Sequence, residues 1–335
     1  MATTPLAVEV WRGERVESRH RVRLCVADPR GGVVLARGDV EEPVYPRSAV
    51  KPFQALALVE SGAADAFAVG PAELALACAS HGGEPDHVAQ VEAWLARLGL
   101  GEADLACGAH PPLHAPSAAA LVRAGIAPRR THNNCSGKHT GMLAAALQLA
   151  APTLGYAAPG HPVQRHVAAA IAALAGVERL PEPGIDGCCL PNHPLPLRGL
   201  ARAAAVLADP SGEAPQRRDA LLRIGAAMRA HSYEVAGTGR CCTALMTHLP
   251  GVIAKTGAEG VFLAALPGQG LGIALKAEDG ATRAAETALL AVLAQLGAVP
   301  EPMPAALERF RAPWIRNTGG AVVGHVRAVP GWPAA

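Results

Sequence analysis

Aromatic side chains are nearly missing from this 335-residue chain: four Phe, four Trp and three Tyr make up 3% of it. A core with so few rings must be closed by aliphatic side chains and alanine, which implies close helix contacts. Charge of one sign is also lacking, because 30 Lys and Arg stand against 28 Asp and Glu and no dense basic run occurs. That balance gives no electrostatic reason to expect nucleic acid or an anionic membrane as partner, and it suits a small neutral or zwitterionic ligand. Long apolar runs are absent too. The longest charge-free stretch, 141–160, is broken by Pro152 and Pro159 and filled with Ala and Gly, a poor bilayer span. Glu9 precedes any apolar run of signal-peptide length, so no secretory signal is expected and the chain reads as soluble.

What is present is ample for a core. Hydrophobic residues reach 50% and charged residues only 17%, which excludes a disordered chain. Glycine and proline, at 36 and 29 residues, exceed their usual combined share of about an eighth and announce many turns. Eight cysteines in a long chain without a signal point to reduced thiols and a cytoplasmic location. Cys188-Cys189 and Cys241-Cys242 are adjacent pairs, and neighbouring side chains point apart, so neither pair suits a structural disulfide.

Residues 5–40 hold three short β-like runs separated by Arg-Gly-Glu and Asp-Pro-Arg-Gly-Gly, an antiparallel opening with hairpin turns. Helical spacing predicts helices over 48–62, 71–79, 86–98, 117–124, 138–150, 162–175, 198–208, 214–235 and 281–297. Three apolar runs between 251 and 280, each ending in a Gly-containing turn, read as two or three adjacent strands. Strands at both ends and helices between them predict an α+β fold with one antiparallel sheet built from both chain ends. With no repeat or linker, a single unit with two lobes is expected: a sheet lobe from about 5–45 and 235–330, and a helical middle over about 48–235.

Four constellations could carry chemistry. Ser48-Ala49-Val50-Lys51 is an S-x-x-K at a predicted helix start, where a neutral Lys51 amine could take the Ser48 proton and free backbone N–H groups suit an oxyanion. Taken alone, the tetrapeptide reads first as an N-cap serine followed by a surface lysine. Lys255-Thr256-Gly257 follows an apolar run, and the two boxes in this order occur in serine acyl-transfer enzymes. Between them lies Ala79-Ser80-His81-Gly82-Gly83-Glu84, either a helix-terminating loop or a second hydroxyl, Ser80, relaying protons to Lys255.

His132-Asn133-Asn134-Cys135-Ser136-Gly137-Lys138-His139 leads into a helix whose N–H groups could hold a carboxylate. His132, Cys135 and His139 could bind zinc, and Asp186-Gly187-Cys188-Cys189 could add a thiolate, although any one of these cysteines could equally be a small buried residue. The Gly237-Thr238-Gly239-Arg240 loop lacks a phosphate-loop pattern but could present Arg240 to an anionic group. Arg47 is a second candidate for recognising a carboxylate.

Together, Tyr45-Pro46-Arg47-Ser48-Ala49-Val50-Lys51-Pro52, Ser80-His81-Gly82-Gly83, Asn133-Asn134-Cys135-Ser136-Gly137-Lys138-His139, Asp186-Gly187-Cys188, Gly237-Thr238-Gly239-Arg240 and Lys255-Thr256-Gly257-Ala258-Glu259-Gly260 resemble the Rhizobium etli-type L-asparaginases over about residues 6–330. The resemblance implies a fold similar to serine β-lactamases and glutaminases, a homodimer, and hydrolysis of L-asparagine to L-aspartate and ammonia. It implies two Ser–Lys tandems, Ser48 with Lys51 and Ser80 with Lys255, and zinc held by Cys135, Lys138 and Cys188. It also implies substrate contacts from Arg47, His139, Asp186, Arg240 and Cys242. Lysine lies outside the usual zinc ligands, so Lys138 stands there on the resemblance alone. The chain departs from the family at Cys189, where Gly or Ser is more usual, and the family varies between Cys and Asp at Cys242.

The expected function is a cytoplasmic amidohydrolase acting through an ester on Ser48, with L-asparagine as substrate and neither nucleic acid nor membrane as partner. A glutaminase or a penicillin-recognising peptidase would use the same Ser–Lys machinery, and one substrate methylene separates the glutaminase by only about 1–3 kcal/mol. A non-catalytic zinc-dependent amino-acid sensor is the rival from another class.

Overall fold

The computed structural model describes residues 3–334. The chain divides into two compact units: unit 1 comprises Met1–Ala49, Leu195–Asp209 and Ala244–Ala335, and unit 2 comprises Val50–Pro194 and Pro210–Thr243. The fold is α+β, with an antiparallel sheet drawn from both chain ends and a helical unit.

Unit 1 is built on strands β1 (Leu6–Arg12), β2 (Arg15–Ala27), β3 (Val33–Arg37), β4 (Ile253–Thr256), β5 (Val261–Leu266), β6 (Leu271–Ala277), β7 (Trp314–Arg316) and β8 (Val322–Ala328). Their order is β7-β8-β1-β2-β6-β5-β4, with β3 pairing β2 off this path. The sequence of β2 explains its two halves. Arg15 to Arg21 alternates exposed with more buried positions and pairs with β1. Val22 to Ala27 is buried throughout and pairs with β6, Cys25 opposite Ala274. Strands without alternation need cover on both faces, and the helices Leu197–Ala208 and Thr282–Gln295 both pack on β2, β5 and β6. Gly272 makes the first of these contacts possible, because a Cβ there would stand 2.1 Å from Ala201 O and from Ala205 N.

That contact corrects the expected lobe boundaries. The helix Leu197–Ala208 lies within the expected helical middle but belongs to unit 1, because its small buried residues Ala201, Ala204 and Ala205 fit the glycine of β6. Two predicted helices are also interrupted. The 48–62 stretch becomes a 3-10 turn, Arg47–Val50, then the helices Lys51–Gln54 and Leu56–Glu60, with Leu58 N bonding three residues back to Ala55 O. The 214–235 stretch separates into Pro215–Ala230 and Ser232–Ala236 at His231, whose φ of −127° and ψ of 52° leave the helical region. The strands β7 and β8 had no sequence signal of their own.

Unit 2 is centred on the helix Ser136–Gln148, buried continuously from Ser136 to Ala146. The helices Leu56–Glu60, Pro71–Ala77, Pro85–Arg97 and Pro162–Ala175 pack around it. A helix enclosed on all sides can carry small polar residues only if they are paired, and this one brings Ser136, Lys138, His139 and Thr140 into the interior. Gly137 permits the approach: a Cβ there would lie 2.6 Å from Leu76 O. Among the described residues no helix is long and apolar enough to cross a membrane.

One ion cluster within unit 2 makes stability depend on acid. Burial alone would raise the Glu60 carboxyl, but hydrogen bonds from His166 Nε2 and Arg217 Nε, each 2.7 Å, outweigh it and bring its pKa down to about 2. A carboxyl depressed in the folded state stabilises above its unfolded pKa of about 4.3 and loses that contribution as pH falls toward 2. Glu60→Gln should therefore lower stability at neutral pH, and its deficit against the parent should shrink as pH drops through this window. Denaturant unfolding of both proteins across the acid range checks this; a constant difference would contradict it.

Candidate functional site

Two loops of unit 2 are drawn together by their own polar groups. After the helix Pro71–Ala77, Ser80 N donates to Val235 O at 2.9 Å and His81 N to Asn134 O at 3.2 Å. Gly83 makes the turn at φ +67°, where a Cβ would stand 2.7 Å from His132 O. On the other side, Asn133 Oδ1 accepts from Cys135 N at 2.9 Å while its Nδ2 donates to Gly108 O, which fixes Cys135 at the start of the helix Ser136–Gln148. His81 Nε2 and Ser136 Oγ, 2.9 Å apart, tie the two loops to each other.

Lys51 enters between them. Its Nζ lies 2.9 Å from Ser80 Oγ and 3.1 Å from Cys135 Sγ, and donates to Ala79 O. The side chain is 1% exposed. Burial lowers its pKa, opposed by the Cys135 thiolate and aided by the Lys138 charge, and the net direction is down. A lysine pushed toward neutrality beside a serine hydroxyl is the arrangement a general base needs. Within unit 2, the hydroxyl of Ser80 accepts from Lys51 Nζ.

Cys135 and Cys188 are hydrogen-bonded to each other. The bond from Cys188 and the cations Lys138 and Lys51 hold the Cys135 thiol well below its usual range, against burial, while Cys188 is driven up. Lys138 Nζ stands 3.0 Å from Cys188 Sγ; burial would discharge it, but the two sulfurs outweigh burial and raise its pKa. Cys188 is delivered by a tight turn in which Asp186 N bonds Leu190 O and Cys189 N bonds Asp186 O. As the adjacency implied, Cys188 points inward and is 7% exposed, whereas Cys189 faces solvent. Among the described residues no group of three His, Cys, Asp or Glu could hold a metal ion. Two thiols and one amine do converge; the thiols are usual zinc donors once deprotonated, and the lysine amine is not. His132, the other zinc candidate, instead accepts from Arg129 N with its Nδ1 at 2.9 Å.

Ser48, Arg47 and Lys255 belong to unit 1. Arg47 is held at φ +53°, a left-handed conformation costly for a side chain, immediately before Ser48. Lys255 is fully buried in β4 and donates to Thr256 O at 2.8 Å. A Cβ at Gly257 would meet Pro46 O at 2.7 Å and Ala49 N at 3.4 Å, so within this unit the Lys-Thr-Gly strand end runs against the backbone that carries Ser48. Arg240 is half-buried and Cys242 is 1% exposed, next to it at the start of the helix Cys241–His248.

Sequence reasoning missed two buried residues of unit 2. Glu84 clamps the Gly237–Arg240 loop, its carboxylate accepting from Thr238 N at 2.8 Å and from Thr238 Oγ1 at 2.7 Å. Gly237, at φ +91°, leaves room for it, since a Cβ would stand 2.5 Å from Glu84 Oε1. The available signal was a carboxylate set between Gly-Gly and a helix-starting proline. Tyr156 hydrogen-bonds His139 Nδ1 at 2.6 Å, and nothing in the local sequence pattern marks it.

A family model described as L-asparaginase II matches residues 8–328. Among solved structures, the chain is similar to a protein named Mglu: in its native form at 18% identity and a TM-score of 0.46, covering 82% of this chain and 63% of that one. It therefore spans about three fifths of that relative's length. A second Mglu structure gives 17% identity and a TM-score of 0.48, covering 83% of this chain and 67% of that one. A beta-lactamase from Mycobacterium bovis gives 16% identity and a TM-score of 0.40, covering 82% and 94%. No curated protein matches the chain.

The departure at Cys189 has a physical consequence. Its φ of +70° is a conformation glycine adopts freely, and holding a side chain there costs about 1–2 kcal/mol. Cys189→Gly should raise stability, by less than this because glycine also loosens the unfolded chain. Thermal unfolding reads the change; a fall in Tm would show that the Cys189 side chain contributes contacts worth more than the strain.

Proposed function

Since this chain belongs to the L-asparaginase II family, we propose that it is an amidohydrolase of the Rhizobium etli type, converting L-asparagine to L-aspartate and ammonia through an ester on Ser48. The observation that supports the reading is the buried Lys51 amine, lowered in pKa by its burial and 2.9 Å from the hydroxyl of Ser80, the serine of the second tandem. In this reading Lys51, three residues after Ser48 in sequence, takes the proton of the attacking hydroxyl. The Ser48 N–H holds the oxyanion, and Ser80 with Lys255 passes a proton to the departing ammonia before water cleaves the ester. Arg47, Arg240 and His139 recognise the amino-acid head, with Asp186 and Cys242 as further contacts.

Cys135, Cys188 and Lys138 would hold the zinc ion. Bound there, zinc would supply a fixed positive charge for orienting substrate. The resemblance supports a homodimer, and free thiols at all eight cysteines support a reducing compartment such as the cytoplasm.

An ammonia-release assay on asparagine, glutamine and a β-lactam tests the reaction. Ser48→Ala should abolish release, and Lys51→Arg should be as damaging as Lys51→Ala, each losing at least about a hundredfold, because arginine cannot act as a base. An active Lys51→Arg protein would make the lysine a fixed charge. Loss in Ser80→Ala with retention in Ser48→Ala would move the nucleophile to Ser80. Turnover of glutamine alone would replace asparaginase by glutaminase.

Zinc is tested separately by elemental analysis. The parent and Cys189→Ala should carry near-stoichiometric metal, while Cys135→Ala and Cys188→Ala should lose it. Full retention by either of these last two would remove that residue from the site.

A further inference from the structure

His139 and Tyr156 form a buried relay within unit 2, at 0% and 2% exposure. The Tyr156 oxygen accepts from Ala106 N at 2.9 Å and lies 2.6 Å from His139 Nδ1. A phenol carries one proton. If His139 Nδ1 held a hydrogen and donated to Tyr156, the phenolic hydrogen would be left to seek another acceptor, and among the described contacts Nδ1 is the acceptor available to it. The arrangement that satisfies the buried groups therefore runs in one direction: Ala106 N–H donates to Tyr156, and Tyr156 O–H donates to Nδ1.

A neutral imidazole that accepts at Nδ1 carries its hydrogen on Nε2. That Nε2 is buried and makes no hydrogen bond of good geometry, the Cys188 backbone being the one acceptor that acts on the ring. It belongs to the same interior group as Lys138, Cys135 and Lys51, whose charges act on the ring. A buried donor without a well-placed acceptor is unfavourable, and binding of an acceptor would relieve it.

We propose that Tyr156 is a positioning residue that locks His139 in the Nε2–H tautomer, making His139 a hydrogen-bond donor to a carboxylate oxygen of a bound amino acid and not a metal ligand. The donor role rests on the amidohydrolase reading given above; the tautomer does not. With its lone pair already engaged at Nδ1, the ring has none left at Nε2 for a metal. The ring of Tyr156 also packs edge-on to His139, 5.7 Å between centroids, so Tyr156→Phe keeps the packing and deletes the lock.

The experiment has two arms. Nitrogen NMR of histidine-labelled protein, with the signal assigned by its loss in His139→Gln, should show Nδ1 unprotonated and Nε2 protonated in the parent, and a mixture of tautomers in Tyr156→Phe. Calorimetric binding of L-aspartate should weaken by about tenfold in Tyr156→Phe, the scale of a hydrogen bond to a charged group. Glutamine has no tautomers and can donate from the same place, so Tyr156→Phe made in a His139→Gln background should change that affinity little. An Nδ1–H tautomer in the parent would overturn the lock. Equal losses in both backgrounds would make Tyr156 merely structural. A parent that shows the Nε2–H tautomer but binds no L-aspartate would leave the lock standing, and would refute the donor role together with the amino-acid reading.

Discussion

Two lysines, Lys51 and Lys138, are buried within one small group of unit 2, and the ionisation of Cys135 is what makes this tolerable. An isolated buried ammonium would discharge or unfold its surroundings. Here two sulfurs face the amines, with Cys135 driven toward the thiolate and Cys188, hydrogen-bonded to it, driven the other way. The two lysines then diverge. Lys138, beside both sulfurs, is held charged, while Lys51, which also contacts a hydroxyl and a carbonyl, is moved toward neutrality. The loops of unit 2 gain their register from the same contacts, since Lys51 joins the segment before Ser80 to the residue that starts the helix Ser136–Gln148.

The scarcity of aromatic residues sets the manner of packing. Without rings to span gaps, elements must approach until backbone meets backbone, and glycine marks where they do. Gly272 lies under the backbone of Leu197–Ala208, Gly137 against that of Leu76, and Gly257 against that of Pro46. Such contacts leave little room for adjustment, which suits hydrogen-bonded groups that work only at fixed distances.

Local patterning was legible wherever it alone decided the outcome. The opening hairpin, the three strands between 251 and 280 and the helix Pro162–Ala175 follow from periodicity and punctuation. The opposite orientations of Cys188 and Cys189 follow from their adjacency. Non-local choices were not legible: nothing in residues 322–328 announces pairing with β1, and the placement of Leu197–Ala208 depends on a glycine more than sixty residues away. In the candidate site, Lys51, Cys135, Lys138 and Cys188, which the motifs single out, lie together, whereas residues that act on other residues carry no motif. Glu84 and Tyr156 have ordinary neighbours in sequence; what distinguishes them is the backbone N–H each accepts from, at Thr238 and at Ala106.

The sheet of unit 1 also imposes an order of events on a ribosome. Val22 to Ala27 of β2 leaves the exit tunnel early, whereas its partner in β6, Ala277 back to Gly272, is made only after some two hundred and fifty further residues. Through most of synthesis the nascent chain therefore carries a largely apolar strand, interrupted only by Arg23, with one edge unsatisfied, a template for wrong partners. The hairpin with β1 and the short β3 can cover only part of it in the interval. Unit 2 faces a shorter delay, because its last partners, residues 210–243, are made before β6. Yield in a cell should thus respond to translation speed and to chaperones that shield β-edges, and defects near the C-terminus should be felt in strands made at the very beginning.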